Sequence, residues 1–247
     1  MTGAGAAFSL AAIQMLGGTA AFLSVTFLVY SSIGRGYYRS ALWVLAPLIA
    51  ASAFLMEDRA RVSTIVAAAC MSGFLLAVYT QRPLLEWAGA ALTLGTSAAA
   101  VIVAAQSFCE EACESQMIQA IAGLLFLGAV THAMTLGHWY LNQPRLPIGP
   151  ISHATWVMLG ATVVALGAGI IGRAGLIAGD VPQSVLTRSP GAYWWFWLVM
   201  VAMTLVLWWM VKETVASRST QSATGLLYIA IVTAVSAQLV SNILAVM

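Results

Sequence analysis

Polar residues punctuate this chain at wide and nearly regular intervals, and between them run stretches that are almost wholly apolar. A helix needs about 20 such residues to cross the hydrocarbon core of a bilayer. Eight runs meet that requirement, at residues 7–31, 40–56, 62–80, 84–107, 116–141, 152–172, 192–211 and 221–246. None shows the period-two alternation of an outer-membrane barrel strand. The pattern predicts an all-α, polytopic integral membrane bundle of about eight transmembrane helices, folded as a single domain over residues 1–247. The second run is short, bounded by Arg39 and Glu57 and interrupted by Pro47. It predicts a kinked span whose freed backbone groups are satisfied by neighbouring helices. Residues 1–34 carry no Lys or Arg, so the first run lacks the basic start of a cleavable signal peptide and is expected to remain as a helix.

Composition then removes whole classes of function. Of 247 residues, 61% are hydrophobic and 7% charged, at a mean hydropathy of +0.92. A soluble domain carries about 25% charged residues, so this chain cannot clothe itself in a water-facing surface. A soluble enzyme, a nucleic-acid-binding protein and a disordered chain are excluded. The connections are too short for an extramembrane domain, and no phosphate-binding glycine loop, dinucleotide fingerprint or HExxH motif is present. The expected partners are the lipid bilayer and other membrane subunits, in a cell inner (plasma) membrane.

Charge adds an orientation. With the N-terminus outside, the inner loops hold Arg35, Arg39, Arg82, Arg145, Lys212 and Arg218, and the outer loops hold Arg59, Arg61, Arg173 and Arg188. Excess Lys and Arg marks the cytoplasmic side, which places the N-terminus outside. The acidic stretch Phe108 to Glu114 then faces the oxidising side. Its Cys109 and Cys113 stand one helical turn apart and are expected to form a disulfide clip, with a two-cysteine metal site as the weaker alternative. Cys70, in mid-span, is expected to be a small buried packing residue. In the seventh run Tyr193, Trp194, Trp195 and Trp197 crowd one end, and Trp208 and Trp209 the other. They read as anchors at the two membrane interfaces.

Ionisable residues at membrane depth are functional candidates by default, and no Asp, Glu, Lys or Arg occupies the middle of a run; Glu86 lies near an interface, close to Arg82. The three histidines are the exception, all between residues 132 and 153. At 100° per residue His132 and His138 point about 120° apart and cannot easily share a metal. His138 falls instead on a polar stripe with Thr131, Thr135 and Asn142. His153 opens the sixth run after the Pro144, Pro147 and Pro150 connection, which places it at a depth like that of His138 if these helices are antiparallel. Two chemistries follow. His138 and His153 could ligate haem b from opposite faces, with His132 as a second candidate ligand. Alternatively, one imidazole could donate to a quinone carbonyl, with Trp139 and Tyr140 walling the pocket and Arg145 supplying positive charge. The bland reading is that these groups are inter-helix hydrogen-bonding glue, as Gln238, Ser241 and Asn242 are expected to be.

The resulting expectation is a non-catalytic membrane subunit of an electron-transfer or quinone-linked complex. Its rivals are a transporter or channel for a small neutral solute, lined by Thr131, Thr135, His138, Asn142, Gln238 and Asn242, and a structural or assembly subunit without a site. Gly34 to Arg39 sets two arginines around Tyr37 and Tyr38, an anchor or a contact for headgroups. Gly167, Gly169, Gly172 and Gly175 predict close packing of the sixth helix. Runs one and five both end in an aromatic, arginine-containing turn, Tyr30 to Arg39 and Tyr140 to Arg145, the only marks of an internal repeat.

Overall fold

A computed structural model describes residues 4–30, 32–107, 113–143, 146–172 and 190–246. Among them eight helices are long and apolar enough to cross a membrane, and no strand occurs. They are α1 (Ala4–Val29), α2 (Arg35–Ser52), α3 (Asp58–Thr80), α4 (Pro83–Ser107), α5 (Cys113–Asn142), α6 (Gly149–Gly172), α7 (Pro190–Ala216) and α8 (Thr220–Val246). Large apolar side chains such as Phe54, Leu84, Ile171 and Val232 stand exposed around the outside. That inverts the surface of a soluble protein and is the surface a multi-pass membrane protein offers to lipid.

The second helix is longer than its apolar run. It begins at Arg35 and continues past Pro47 into a 3-10 turn, Ala53–Leu55. Two arginines fit inside its first turns because their heads are held. Arg39 donates to the carbonyl of Val78 (3.1 Å) and lies 4.5 Å over the Tyr79 ring. Arg35 forks onto Glu86 of α4, with Nε on Oε1 at 2.6 Å and Nη2 on Oε2 at 3.1 Å. Glu86 is therefore a buried partner of Arg35, where the sequence placed it beside Arg82 at an interface.

The helices are arranged as two four-helix halves. In the first, α1 packs on α2 and α4, α2 on α3, and α3 on α4; in the second, α5 packs on α6 and α8, α6 on α7, and α7 on α8. The halves meet through α1 against α5, and α4 on α5 is matched by α8 on α1. The contact Gln14 to Ala120 and the contact Thr26 to His132 have the same sequence separation, 106, so α1 and α5 run parallel and in register. Between those contacts the backbones touch. A Cβ on Gly18 would lie 2.2 Å from the Leu124 carbonyl oxygen, and one on Gly128 would lie 2.5 Å from Gly18 Cα. The close approach thus falls on α1 and α5; on α6 there is open space around Gly167, and Gly175 lies outside the described residues.

A polar clasp lies one to two turns outward from this crossing. Gln14 Nε2 donates to the Ala120 carbonyl (3.1 Å), Asn242 Nδ2 donates to Gln14 Oε1 (3.0 Å) and to the Ala7 carbonyl (3.2 Å), and Gln238 Nε2 donates to Asn242 Oδ1 (2.8 Å). Gly123 makes room for it, since a Cβ there would meet both Gln14 and Gln238 at 2.4 Å. Gln238 and Asn242 are glue between α1, α5 and α8. Cys70 is half-buried rather than buried, and its thiol is free.

Candidate functional site: a cleft between α2, α5 and α8

At the arginine-rich end of the bundle, α2 and α8 each pack beside α5 without packing substantially on each other. The gap is a cleft of about 360 Å³ floored by Met134, Thr135, His138, Trp139 and Asn142 of α5. Tyr37, Ser40, Ala41, Val44 and Leu45 of α2 form one wall, and Tyr228 of α8 the other. Val44 (59% exposed) and Tyr228 (49%) form its lip. Both side chains face outward from the bundle, so the cleft opens sideways toward lipid. Three members of the predicted stripe, Thr135, His138 and Asn142, lie together here; Thr131 does not line the cleft, and its hydroxyl is buried without a hydrogen-bond partner.

The polar groups of the cleft are held from behind by His132. This ring is buried, with Nε2 at 2.8 Å from Thr26 Oγ1 and Nδ1 at 3.4 Å from the Tyr37 hydroxyl. The hydroxyl of Tyr37 also lies 3.3 Å from Thr135 Oγ1, which donates to the His132 carbonyl at 2.9 Å. Each hydroxyl has one proton, and one assignment uses all of them. Thr135 donates to the His132 carbonyl, Tyr37 donates to Thr135, His132 Nδ1–H donates to the Tyr37 oxygen, and Thr26 donates to Nε2. A neutral imidazole protonated on Nδ1 satisfies this chain. His132 therefore fixes Tyr37 and Thr135 across three helices and does not itself line the cleft.

One donor at the cleft is less committed. His138 is exposed, with Nδ1 3.3 Å from the Tyr228 hydroxyl. Trp139 lies across Gly36, where a Cβ would come within 3.2 Å of its ring, and its indole N–H is buried with no acceptor among the described residues.

Other predicted members lie elsewhere. Tyr140 is buried away from the cleft, and its hydroxyl donates to the Pro147 carbonyl at 2.5 Å, which clips the α5–α6 connection. His153 lies tilted against Tyr30 (ring centroids 5.8 Å) and lines a separate cavity of about 60 Å³ with Thr26, Tyr30 and His132, a space that suits a few waters. His138 and His153 thus open onto different cavities. No group of three metal-ligating side chains converges among the described residues. Arg145 and the Cys109–Cys113 pair lie outside the described residues, apart from Cys113 opening α5.

Of the residues expected along a solute path, Thr135, His138 and Asn142 line the cleft and Gln238 and Asn242 do not; from Tyr228 at the cleft to Gln238 is ten residues of α8, about 15 Å. The Arg35–Glu86 fork, the His132 relay and the Gln14 clasp were not legible in the sequence, because each joins residues far apart in the chain. Comparison with protein-family models, with curated proteins and with solved structures returned no match.

Proposed function

We propose that this chain is the membrane-embedded, non-catalytic subunit of a quinone-linked electron-transfer complex in an inner (plasma) membrane, and that the cleft between α2, α5 and α8 receives the quinone. One observation carries the reading: a lipid-facing cleft in which the exposed His138 stands beside the Tyr228 hydroxyl. About 360 Å³ falls in the range of small-molecule sites, which are mainly apolar with a few convergent polar groups. A quinone ring suits these walls. One carbonyl would accept from His138, Thr135 and Tyr228 lie within the same lining, and the isoprenoid tail would leave past Val44 into lipid. Electrons would come from a redox centre on a partner subunit. The open space around Gly160 and Gly167 on α6 offers a smooth face against which a partner helix could pack.

The test is equilibrium binding of a short-tailed quinone to the purified chain in mild detergent, read by tryptophan fluorescence. His138→Ala removes the donor and is expected to weaken binding by up to about tenfold, and His153→Ala leaves it unchanged. Absence of saturable binding, or equal losses in His138→Ala and His153→Ala, would overturn the proposal. Sharp Soret and α bands in a dithionite-reduced minus oxidised spectrum, lost in His138→Ala, would put haem in place of quinone.

A further inference from the structure

A second cavity, of about 310 Å³, lies between the first turns of α6 and the last turn of α7, and we propose that it binds the headgroup of an anionic phospholipid. Its lining includes Ile148, Ser152, Trp156, Lys212, Val215 and Arg218. Two cations thus border one groove at the arginine-rich end of the bundle, against apolar side chains. The guanidinium of Arg218 has no carboxylate partner among the described residues. Lys212 is paired only with its neighbour Glu213, at 3.1 Å, and both side chains are well exposed (39% and 54%), a kind of pair worth little in water.

The position of Arg218 is fixed by the backbone. Its φ is 59°, and the turn is closed by Arg218 N–H on the Val215 carbonyl (3.0 Å) and Ser219 N–H on the Thr214 carbonyl (2.9 Å), so the chain reverses beside the groove. On the other flank Trp156, half-exposed, meets Trp208 edge to face at 5.4 Å. Indole rings favour the headgroup level, where one end is apolar and the other wet. A diester phosphate bridging Lys212 and Arg218, with its acyl chains running along Val215 and Trp156, satisfies the charges and the apolar flank together. Basic pockets between helices on the cytoplasmic side are sites of this kind, and the lysine and arginine bias assigns this end to that side.

The experiment measures lipid binding to the full chain by native mass spectrometry, and its thermal midpoint in mild detergent with added phosphatidylglycerol, phosphatidylcholine or inorganic phosphate. Phosphatidylglycerol is expected to bind saturably and raise the midpoint, and phosphatidylcholine is not. At roughly fivefold per basic side chain near an anionic surface, Lys212→Gln with Arg218→Gln lowers the affinity by about twenty-five-fold. Arg82→Gln, which removes an exposed cation at the same end but outside the groove, leaves it unchanged. The charge-preserving pair Lys212→Arg with Arg218→Lys retains binding, which separates lost charge from lost folding. The proposal is overturned if the two lipids act alike, if phosphate alone reproduces the effect, or if Arg82→Gln weakens binding as much as the double variant.

Discussion

Replacing Gly128 by alanine tests the packing on which the whole arrangement depends. The new Cβ would stand 2.4 Å from the Gly18 carbonyl carbon, 2.5 Å from its Cα and 2.7 Å from its oxygen. Carbon atoms prefer about 3.5–4.0 Å, and every atom met is backbone, so no rotamer change relieves the clash. The helices α1 and α5 must part by about 1 Å. Overpacking of this sort costs about 1–3 kcal/mol. The separation also stretches the flanking Gln14–Ala120 and Thr26–His132 bonds, each worth about 0.6 kcal/mol between membrane helices. The expected loss is about 2–4 kcal/mol. Gly167→Ala is the matched control. Its Cβ meets nothing within 4 Å, so only the higher helix propensity of alanine counts, a gain of up to about 1 kcal/mol. For a chain of this size each kcal/mol moves the midpoint by about 2–4 °C, so the two variants should differ by on the order of 10 °C. The assay heats the detergent-solubilised protein and counts what remains monodisperse by size-exclusion chromatography. Equal midpoints for the two alanine variants would refute the reasoning, because they would show that α1 and α5 do not touch at Gly18 and Gly128.

Two further outcomes follow from the buried polar groups. His132→Phe keeps the ring but strands Thr26 and Tyr37, and should lower stability by about 1–3 kcal/mol at about 0.6–1.7 kcal/mol per interhelical bond; adding Tyr37→Phe should cost less than the sum of the single losses, and strict additivity in the thermal midpoints would break the relay. Arg35→Ala leaves the Glu86 carboxylate buried and unpaired, whereas Glu86→Gln leaves the partly exposed Arg35 able to reach solvent. The first should therefore be the more destabilising, by roughly 1–3 kcal/mol, and the reverse order in the same heating assay would show that the fork is a surface pair.

The spans were legible because the bilayer sets a length that apolar runs must meet, and the eight helices begin and end within a few residues of those runs. The exceptions have a cause: Arg35 and Arg39 mark the end of an apolar run but not of a helix, since Glu86 and the Val78 carbonyl accept from their heads. The site was legible only in part. Helical spacing along α5 grouped Thr135, His138 and Asn142 correctly, because that stripe lies within one helix. It could not show that α2 and α8, rather than α6, wall the stripe. Depth along the chain sets His153 beside His138, but the two face different cavities. Tyr37 stands in an arginine-flanked aromatic pair, a pattern that reads as an anchor, yet it lines the cleft and its hydroxyl meets Thr135.

His132 stands between two cavities of unequal size. Ser40 and Val44 wall the large cleft, and Pro150 and Ala154 line the small cavity that contains His153. The first is floored by α5, and the second is lined by α1, α5 and α6. In the small one, Tyr30 and His153 bring their rings to 5.8 Å and leave about 60 Å³, whereas Tyr140 lies away from the large one and holds the Pro147 carbonyl. His132 lines the small cavity and bonds the Tyr37 hydroxyl beside the large one, so the hydrogen-bond chain from Thr26 to Thr135 ties the walls of both together.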